Sequence, residues 1–314
     1  MGQQGYIIAG PTGSGKSQLA LDLAAHLHKI KQTSPLIING DSMQVYEDLK
    51  ILSARPETTA GMPPHALYGT LKADESASVG WWQQEIKQLL GSPENTNKTP
   101  IVVGGTGLYL NVLLEGISPI PETPPKVRQQ ATKEHHKLGP EAFFEKIKEF
   151  DPLSARKLDL NNTQRVIRAW EVYEHTGKAL SYWQSQPKIK ILPNWDWKII
   201  LIEPDREILY PHLNQRFEDM VHNGGLEEVQ KLKKMDLPEN TSILNAIGVR
   251  EILCYLDGQT TLEKSIEKGQ QATRNYAKRQ LTWFRHQLKG IDLTLSCIYD
   301  KTPSQVDDLK ILAQ

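Results

Sequence analysis

Gly10-Pro-Thr-Gly-Ser-Gly-Lys-Ser17, directly after the apolar run Tyr6-Ile-Ile-Ala9, is the stretch that decides the fold of this 314-residue chain. It matches G-x-x-x-x-G-K-[ST] without a gap and stands where a first strand turns into a first helix. Its glycines remove Cβ atoms, so successive backbone N–H groups can point inward around a phosphate. Lys16 adds a cation, Ser17 offers a hydroxyl to Mg²⁺, and the following helix presents its positive N-terminal end. Leu19, Ala20, Leu23, Ala24 and Leu27 share one face of that helix. The loop by itself fits any di- or triphosphate.

Working outward, Leu36–Ile38, Ile101–Val103 and Trp197–Ile202 read as further strands. Each is a short apolar run of the kind parallel strands show when both faces are covered. A helical pattern runs through Val79 to Leu90. Strands alternating with helices predict an α/β fold: a phosphate-loop-type parallel sheet flanked by helices. Prolines 119, 121, 124 and 125 open a stretch of different character, and Pro187 and Pro193 close it. Helical and charged, it reads as an insertion over 119–193 in an α/β core of 1–118 and 194–314. Beyond it the pattern is helical, broken at Gly224-Gly225 and Gly258, up to a long helix from about Leu262 to Leu288.

Hydrophobic content of 39% and charged content of 24% fit a globular protein with a sizeable core. The formal net charge is zero, which argues against bulk nucleic-acid binding while permitting local basic faces. Cys254 and Cys297 form no C-x-x-C pair, so neither a zinc site nor a disulfide framework is expected. No stretch is apolar enough to span a membrane and no signal pattern opens the chain, so a cytoplasmic protein is expected; a monomer is the expected state, although the sequence does not fix it.

The strand ends hold the candidate chemistry. The second strand runs into Asp41-Ser-Met-Gln44, and Asp41 there suits a general base, a partner of Mg²⁺ or a turn cap. The third runs into Gly104-Gly-Thr-Gly107, with Thr106 offering a hydroxyl and no acid present. Many phosphate-loop NTPases place an Asp or Glu at that point, so a motor or switch is disfavoured. Arg206 and Arg216 suit a pyrophosphate by their bidentate guanidinium groups. Gln164-Arg-Val-Ile-Arg168 and the basic, aromatic last helix suit phosphate contacts and stacking on RNA, or simply solvated faces.

Gly10 to Ser17, Asp41-Ser-Met-Gln-Val-Tyr46, Gly104-Gly-Thr106, Gln164-Arg with Arg168-Ala-Trp-Glu171, and Thr273 to Arg285 occur in the order seen in the tRNA dimethylallyltransferases, which the chain resembles from near residue 6 to near 290. The resemblance implies transfer of a five-carbon isoprenoid from dimethylallyl diphosphate to N6 of the adenosine just 3′ of the anticodon, releasing diphosphate. It assigns Gly10, Pro11, Thr12, Gly13, Ser14, Gly15, Lys16 and Ser17 to the diphosphate, with Ser17 on Mg²⁺. Asp41 becomes the base, with Thr106 and Arg216 completing the catalytic set. Contacts to the tRNA anticodon arm fall to Asp41, Ser42, Met43, Gln44, Thr106, Arg128, Gln164, Arg165, Val166, Ile167, Arg168, Arg250, Arg274, Lys278 and Arg279. Gln44 would read an adenine edge.

Two segments depart from the family pattern. Leu52-Ser-Ala-Arg-Pro56 replaces a common Gly-Thr-Ala-Lys-Pro, and Gly248-Val-Arg250 replaces Gly-Tyr-Lys. Each keeps a cation, so altered RNA contacts are expected. Competing readings are a small-molecule kinase, an isopentenyltransferase for free adenine nucleotides, and a nucleotide-switched RNA-binding protein. The first and second leave the basic helix or the insertion without a purpose. The third lacks the acid after the third strand and a guanine-reading N-K-x-D.

Overall fold

A computed structural model describes residues 3–313. The chain divides into two compact units: residues up to Leu114 together with those from Leu192 onward, and Glu115–Ile191.

The first unit is built on β1 (Gln3–Ala9), β2 (Ser34–Asn39), β3 (His65–Ala66), β4 (Lys98–Gly104), β5 (Trp195–Ile202) and β6 (Ile291–Leu295). They form one six-stranded sheet in the order β3-β2-β4-β1-β5-β6, with every pairing parallel. The apolar runs explain this, because Ile7, Ile8, Ile37, Ile38, Ile101, Val102, Ile199 and Ile200 are buried. β1 lies between β4 and β5 with Ala9 opposite Gly104, so the loops leaving β1 and β4 start side by side.

Between these strands run α1 (Lys16–Lys31), α2 (Val79–Gly91) and α3 (Gly107–Glu115). The foreseen face of α1 packs on Tyr6, Ile8, Ile37 and Ile200, and each fully buried leucine there contributes about 2 kcal/mol.

The second unit holds α4 (Pro125–Leu138), α5 (Pro140–Phe150), the one-turn α6 (Pro152–Ala155), α7 (Thr163–Thr176) and α8 (Leu180–Ser185). Its core is Ala131, Phe143, Ile147, Val166, Ala169, Trp170, Val172 and Leu180. The buried Asp151 ties α6 to α8 by accepting the N–H groups of Ser154 and Ser181, both at 3.0 Å. Paired bonds between Ile117 and Ile189, at 3.1 and 2.9 Å, close the unit. The unit therefore spans Glu115–Ile191, whereas the proline clusters suggest 119–193.

Back in the first unit, α9 (Arg206–Met220) reaches α10 (Leu226–Lys234) through a kink, where Gly224 takes φ +109°. Then come α11 (Val249–Leu256), α12 (Leu262–Gln287) and, after β6, α13 (Pro303–Ala313). Phe217, Val221, Val229, Leu232, Val249, Ile252 and Ile266 make a second core shared by α9 to α12. Among the described residues no helix is long and apolar enough to cross a membrane.

Candidate functional site

The site lies at the carboxyl ends of β1, β2 and β4, where an open parallel sheet handles ligands. The loop after β1 is fixed from within: Ser14 Oγ donates to Pro11 O at 2.8 Å, and Lys16 Nζ donates to the same oxygen at 2.6 Å. Gly15 takes φ +88° as the N-cap of α1, a conformation open to glycine and costly for other residues.

Asn39, buried at the end of β2, aims the next residues. Its Nδ2 donates to Asp41 O and Leu67 O, both at 2.9 Å, and its Oδ1 accepts Asp41 N–H at 2.8 Å. Asp41 Oδ1 in turn accepts Met43 N–H at 2.9 Å. After β4, Thr106 Oγ1 accepts Ser42 N–H at 3.0 Å and lies 3.4 Å from Ser42 Oγ, linking the second and third strand ends.

These pieces surround a cavity of about 660 Å³, lined by Thr12 to Ser17, Asp41 to Gln44, Leu52 to Ala54, His212, Arg216, Phe217, Tyr276 and Arg279. That is the size range of a small-molecule site. Burial lowers Lys16 to about 8, with Asp41 opposing and Arg216 assisting. Burial pushes the Asp41 carboxyl up, against the N–H of Met43 and the Lys16 charge. Arg216 is also lowered by burial. The Tyr276 hydroxyl is pushed up by burial and by Asp41, and its hydrogen bond to Thr106 pulls the other way. Two cations and a raised carboxyl in one cavity can receive an anionic leaving group and a proton.

The other expected residues divide into groups. Gln44 lines the cavity, with its Nε2 donating to Ser53 O at 3.0 Å and Ala54 O at 3.2 Å. Its free edge is therefore the Oε1 acceptor. Arg55, the cation of the segment that departs from the family pattern, bonds the backbone: Nη1 donates to Tyr46 O at 2.7 Å and Nη2 to Glu47 O at 3.3 Å. Its guanidinium folds the 46–55 turn. Arg250 is held by Leu244 O and Asn245 Oδ1. Arg274 bonds Asn214 and Gln271. Lys278 and Arg279 are exposed on α12, beside Asn275, Thr282, Trp283 and His286 along a second groove.

Within the helical unit, Gln164 and Arg165 are exposed at the start of α7, and Arg128 is exposed on α4. Arg168 Nη1 bonds Thr123 Oγ1 at 2.6 Å and Glu171 Oε2 at 3.0 Å. Val166 corrects the sequence reading. It is fully buried with Ala169 and Trp170 because it lies on the apolar face of α7, and its side chain does not face solvent. Ile167 packs partly against the same core.

Two residues that shape the cavity were given no role from sequence. Tyr276 was counted only as one of several aromatics on a basic helix. Glu228 is a buried carboxylate that accepts Lys50 N–H at 2.5 Å, Ile51 N–H at 2.8 Å and Leu52 N–H at 2.9 Å. The signal for it was an acid on the apolar face shared by Val229 and Leu232.

Residues 44–287 match the model of the IPP transferase family. The tRNA dimethylallyltransferase of Bartonella tribocorum is 44% identical over 283 residues, covering 90% of this chain and 94% of that protein. The one from Chelativorans sp. is 41% identical over 283 residues, covering 90% and 95%. The crystal structure of the full-length tRNA isopentenylpyrophosphate transferase from Bacillus halodurans is 30% identical with a TM-score of 0.66, covering 99% of this chain and 95% of that one. A eukaryotic dimethylallyltransferase caught acting on tRNA is 28% identical with a TM-score of 0.76, covering 96% and 77%. Matched over most of its length by the family model and almost end to end by these relatives, the chain belongs to the IPP transferase family.

Proposed function

We propose that the protein transfers the dimethylallyl group of dimethylallyl diphosphate to N6 of the adenosine just 3′ of the anticodon in tRNA, releasing diphosphate. One observation carries this reading most: the phosphate loop, Asp41 and Arg216 line one cavity. The relatives described as tRNA dimethylallyltransferases supply the substrate pair.

In the reaction a C–N bond forms at the allylic carbon as its bond to the diphosphate oxygen breaks. Negative charge grows on the leaving group, where Lys16, Arg216 and the N–H groups of the loop stabilise it. The adenine amine is a weak nucleophile because its lone pair is delocalised into the ring. Asp41 takes its proton as the bond forms, and the raised carboxyl suits that task. Thr106, which accepts the Ser42 N–H, and Tyr276, in the same cavity as Ser42, orient the Ser42 segment and the incoming base. The base leaves its stack to reach the cavity, which also keeps water from the developing cation.

Mg²⁺ fits these residues. The Ser17 hydroxyl and the Asp41 carboxyl, both oxygen donors, line the cavity together with the phosphate loop. A cation held by few protein atoms and mainly by phosphate oxygens is the usual magnesium arrangement. Ser17 would hold it, with Asp41 in the same cavity, and the ion would neutralise charge on the departing diphosphate.

Contacts to the anticodon arm would fall to the exposed Arg128, Gln164 and Arg165 in the helical unit and, in the first unit, to Lys278 and Arg279. The acting species is read as a monomer in the cytoplasm. The test is transfer of labelled isoprenoid from dimethylallyl diphosphate to unmodified tRNA, with free AMP as a parallel acceptor and ATP as a parallel donor. Label in tRNA alone is expected. Label on AMP, or phosphate transfer from ATP, would overturn the reading.

A further inference from the structure

Gln280 closes the stretch Tyr276-Ala-Lys-Arg-Gln280, and the reaction described above gives it no part. It is 5% exposed, on the same buried face of α12 as Ala277, Leu281 and Phe284. A primary amide on such a face needs partners for both its ends. It has them: Oε1 accepts the N–H of Thr12 at 2.9 Å, and Nε2 donates to the carbonyl of Gly105 at 2.9 Å. Thr12 belongs to the phosphate loop leaving β1, and Gly105 immediately precedes Thr106 on the loop leaving β4. The approach requires glycine, since a Cβ at residue 105 would stand 2.1 Å from Nε2 and 3.2 Å from Gly10 O.

Pairing between β1 and β4 ends at Ala9 and Gly104, so the sheet no longer fixes the spacing of the two loops beyond that point. One loop forms the diphosphate cradle. The other carries Thr106, which holds the Ser42 N–H beside Asp41. We propose that Gln280 is a positioning residue that sets the distance between the donor cradle and the acceptor side of the cavity. The inference rests on the prenyl-transfer reading, because only a reaction between two substrates needs that distance held. A misplacement of about 1 Å between reacting partners costs on the order of 10²-fold in rate.

Two variants test it. Gln280→Glu keeps the acceptor for Thr12 N–H, but when ionised it sets an oxygen against Gly105 O. A protonated glutamic acid restores the missing donor, and its position raises its pKa. Gly105→Ala pushes the amide away while leaving Gln280 in place. Lys16, Asp41, Glu57, His212, Arg216, Tyr276 and Arg279 are the ionisable groups lining the cavity. All are common to variant and wild type, so the rate ratio isolates residue 280.

At alkaline pH, kcat of Gln280→Glu is expected to fall on the order of 10²-fold, with the ratio recovering as pH is lowered. Gly105→Ala should lose a similar factor at every pH. Inorganic pyrophosphate, titrated by calorimetry, reads the cradle without any turnover, and its affinity should stay within about threefold of wild type in Gly105→Ala, and in Gln280→Glu at the pH where the introduced carboxyl is protonated. Full kcat in alkaline Gln280→Glu, a Gln280→Glu loss that does not change with pH, or a Gly105→Ala loss of pyrophosphate binding equal to its loss of kcat would each overturn the proposal. Failure of the prenyl-transfer reading would show separately, as wild-type protein that transfers nothing to tRNA.

Discussion

Lys16 and Asp41 perturb each other across one cavity: Asp41 holds up an ammonium that burial has lowered to about 8, and Lys16 holds down a carboxyl that burial has raised. The base must be ionised and the cation protonated. Activity is therefore lost as pH falls through the raised value of Asp41, and lost again as pH rises through about 8 at Lys16. The profile of kcat/KM for the donor, which reports the free enzyme, should be bell-shaped with an acid limb above the ordinary carboxylate range. In Lys16→Arg the alkaline limb should move up and out of the window, since a guanidinium stays charged there. A limb that persists near its wild-type position would assign it to another group.

Glu228 fixes the wall of the cavity by receiving three successive backbone N–H groups, an anion nest occupied by a carboxylate of the same chain. The segment it holds continues into Ser53 and Ala54, whose carbonyls anchor Gln44. Glu228→Ala should cost about 3 kcal/mol in urea unfolding, because several buried donors lose their acceptor together. Its KM for tRNA should rise as Gln44 loses its anchor. Glu228→Gln, which keeps one oxygen and turns an amide N–H toward Leu52 N–H, should fall between wild type and Ala. Unchanged stability in Glu228→Ala would show that the nest is satisfied by solvent.

Arg165 and Arg168 stand one turn apart on α7 and should behave differently. Arg165 is exposed, whereas Arg168 is bound to Thr123 and to Glu171, a glutamate 5% exposed. Arg165→Ala, like Lys278→Ala, should lower the slope of log affinity for tRNA against log salt by about 0.7 to 1. Arg168→Ala should instead destabilise the protein by about 2 kcal/mol, leaving Glu171 short of its partner with only Arg128 at 3.9 Å. Equal salt effects from both would place the RNA across Arg168 as well.

The chemistry that was legible in the sequence sits at the ends of apolar runs. Ala9 leads into the phosphate loop, Ile38 is three residues from Asp41, and Val103 is three from Thr106. Local pattern fixes such residues because a parallel strand delivers whatever follows it to one edge of the sheet. Val166 was misplaced because a motif was read as a contiguous patch, although α7 turns that position toward Ala169 and Trp170. Gln280 could not be assigned, since its partners lie 268 and 175 residues away and only the fold brings them together. The fold of the 46–55 turn was illegible for a related reason: a cation in a loop gives no hint that backbone carbonyls will claim it.

The segment after Gly290, uninformative as sequence, proves to underlie the phosphate loop. β6 adds an edge to the sheet beside β5, and the chain then brings Tyr299 N–H to Ser14 O at 3.0 Å. A Cβ on Gly15 would stand 2.5 Å from Tyr299 O, so the two backbones are in direct contact. The Tyr299 hydroxyl donates to Asp22 Oδ2 at 3.0 Å on α1, and Lys301 Nζ lies 3.2 Å from Asp22 Oδ1. Tyr299→Phe keeps the backbone contact and loses one bond to a carboxylate that Lys301 still serves. It should cost about 1.5 kcal/mol in unfolding and leave pyrophosphate affinity unchanged. Tyr299→Ala also removes a ring that is 3% exposed, and should cost about 4 kcal/mol. Ending the chain before Tyr299 removes the N–H on Ser14 O as well, so the loop should loosen and pyrophosphate affinity fall. Calorimetric titration of the three variants separates these effects, and a truncated protein that binds pyrophosphate like wild type would show that the loop holds its shape without the support.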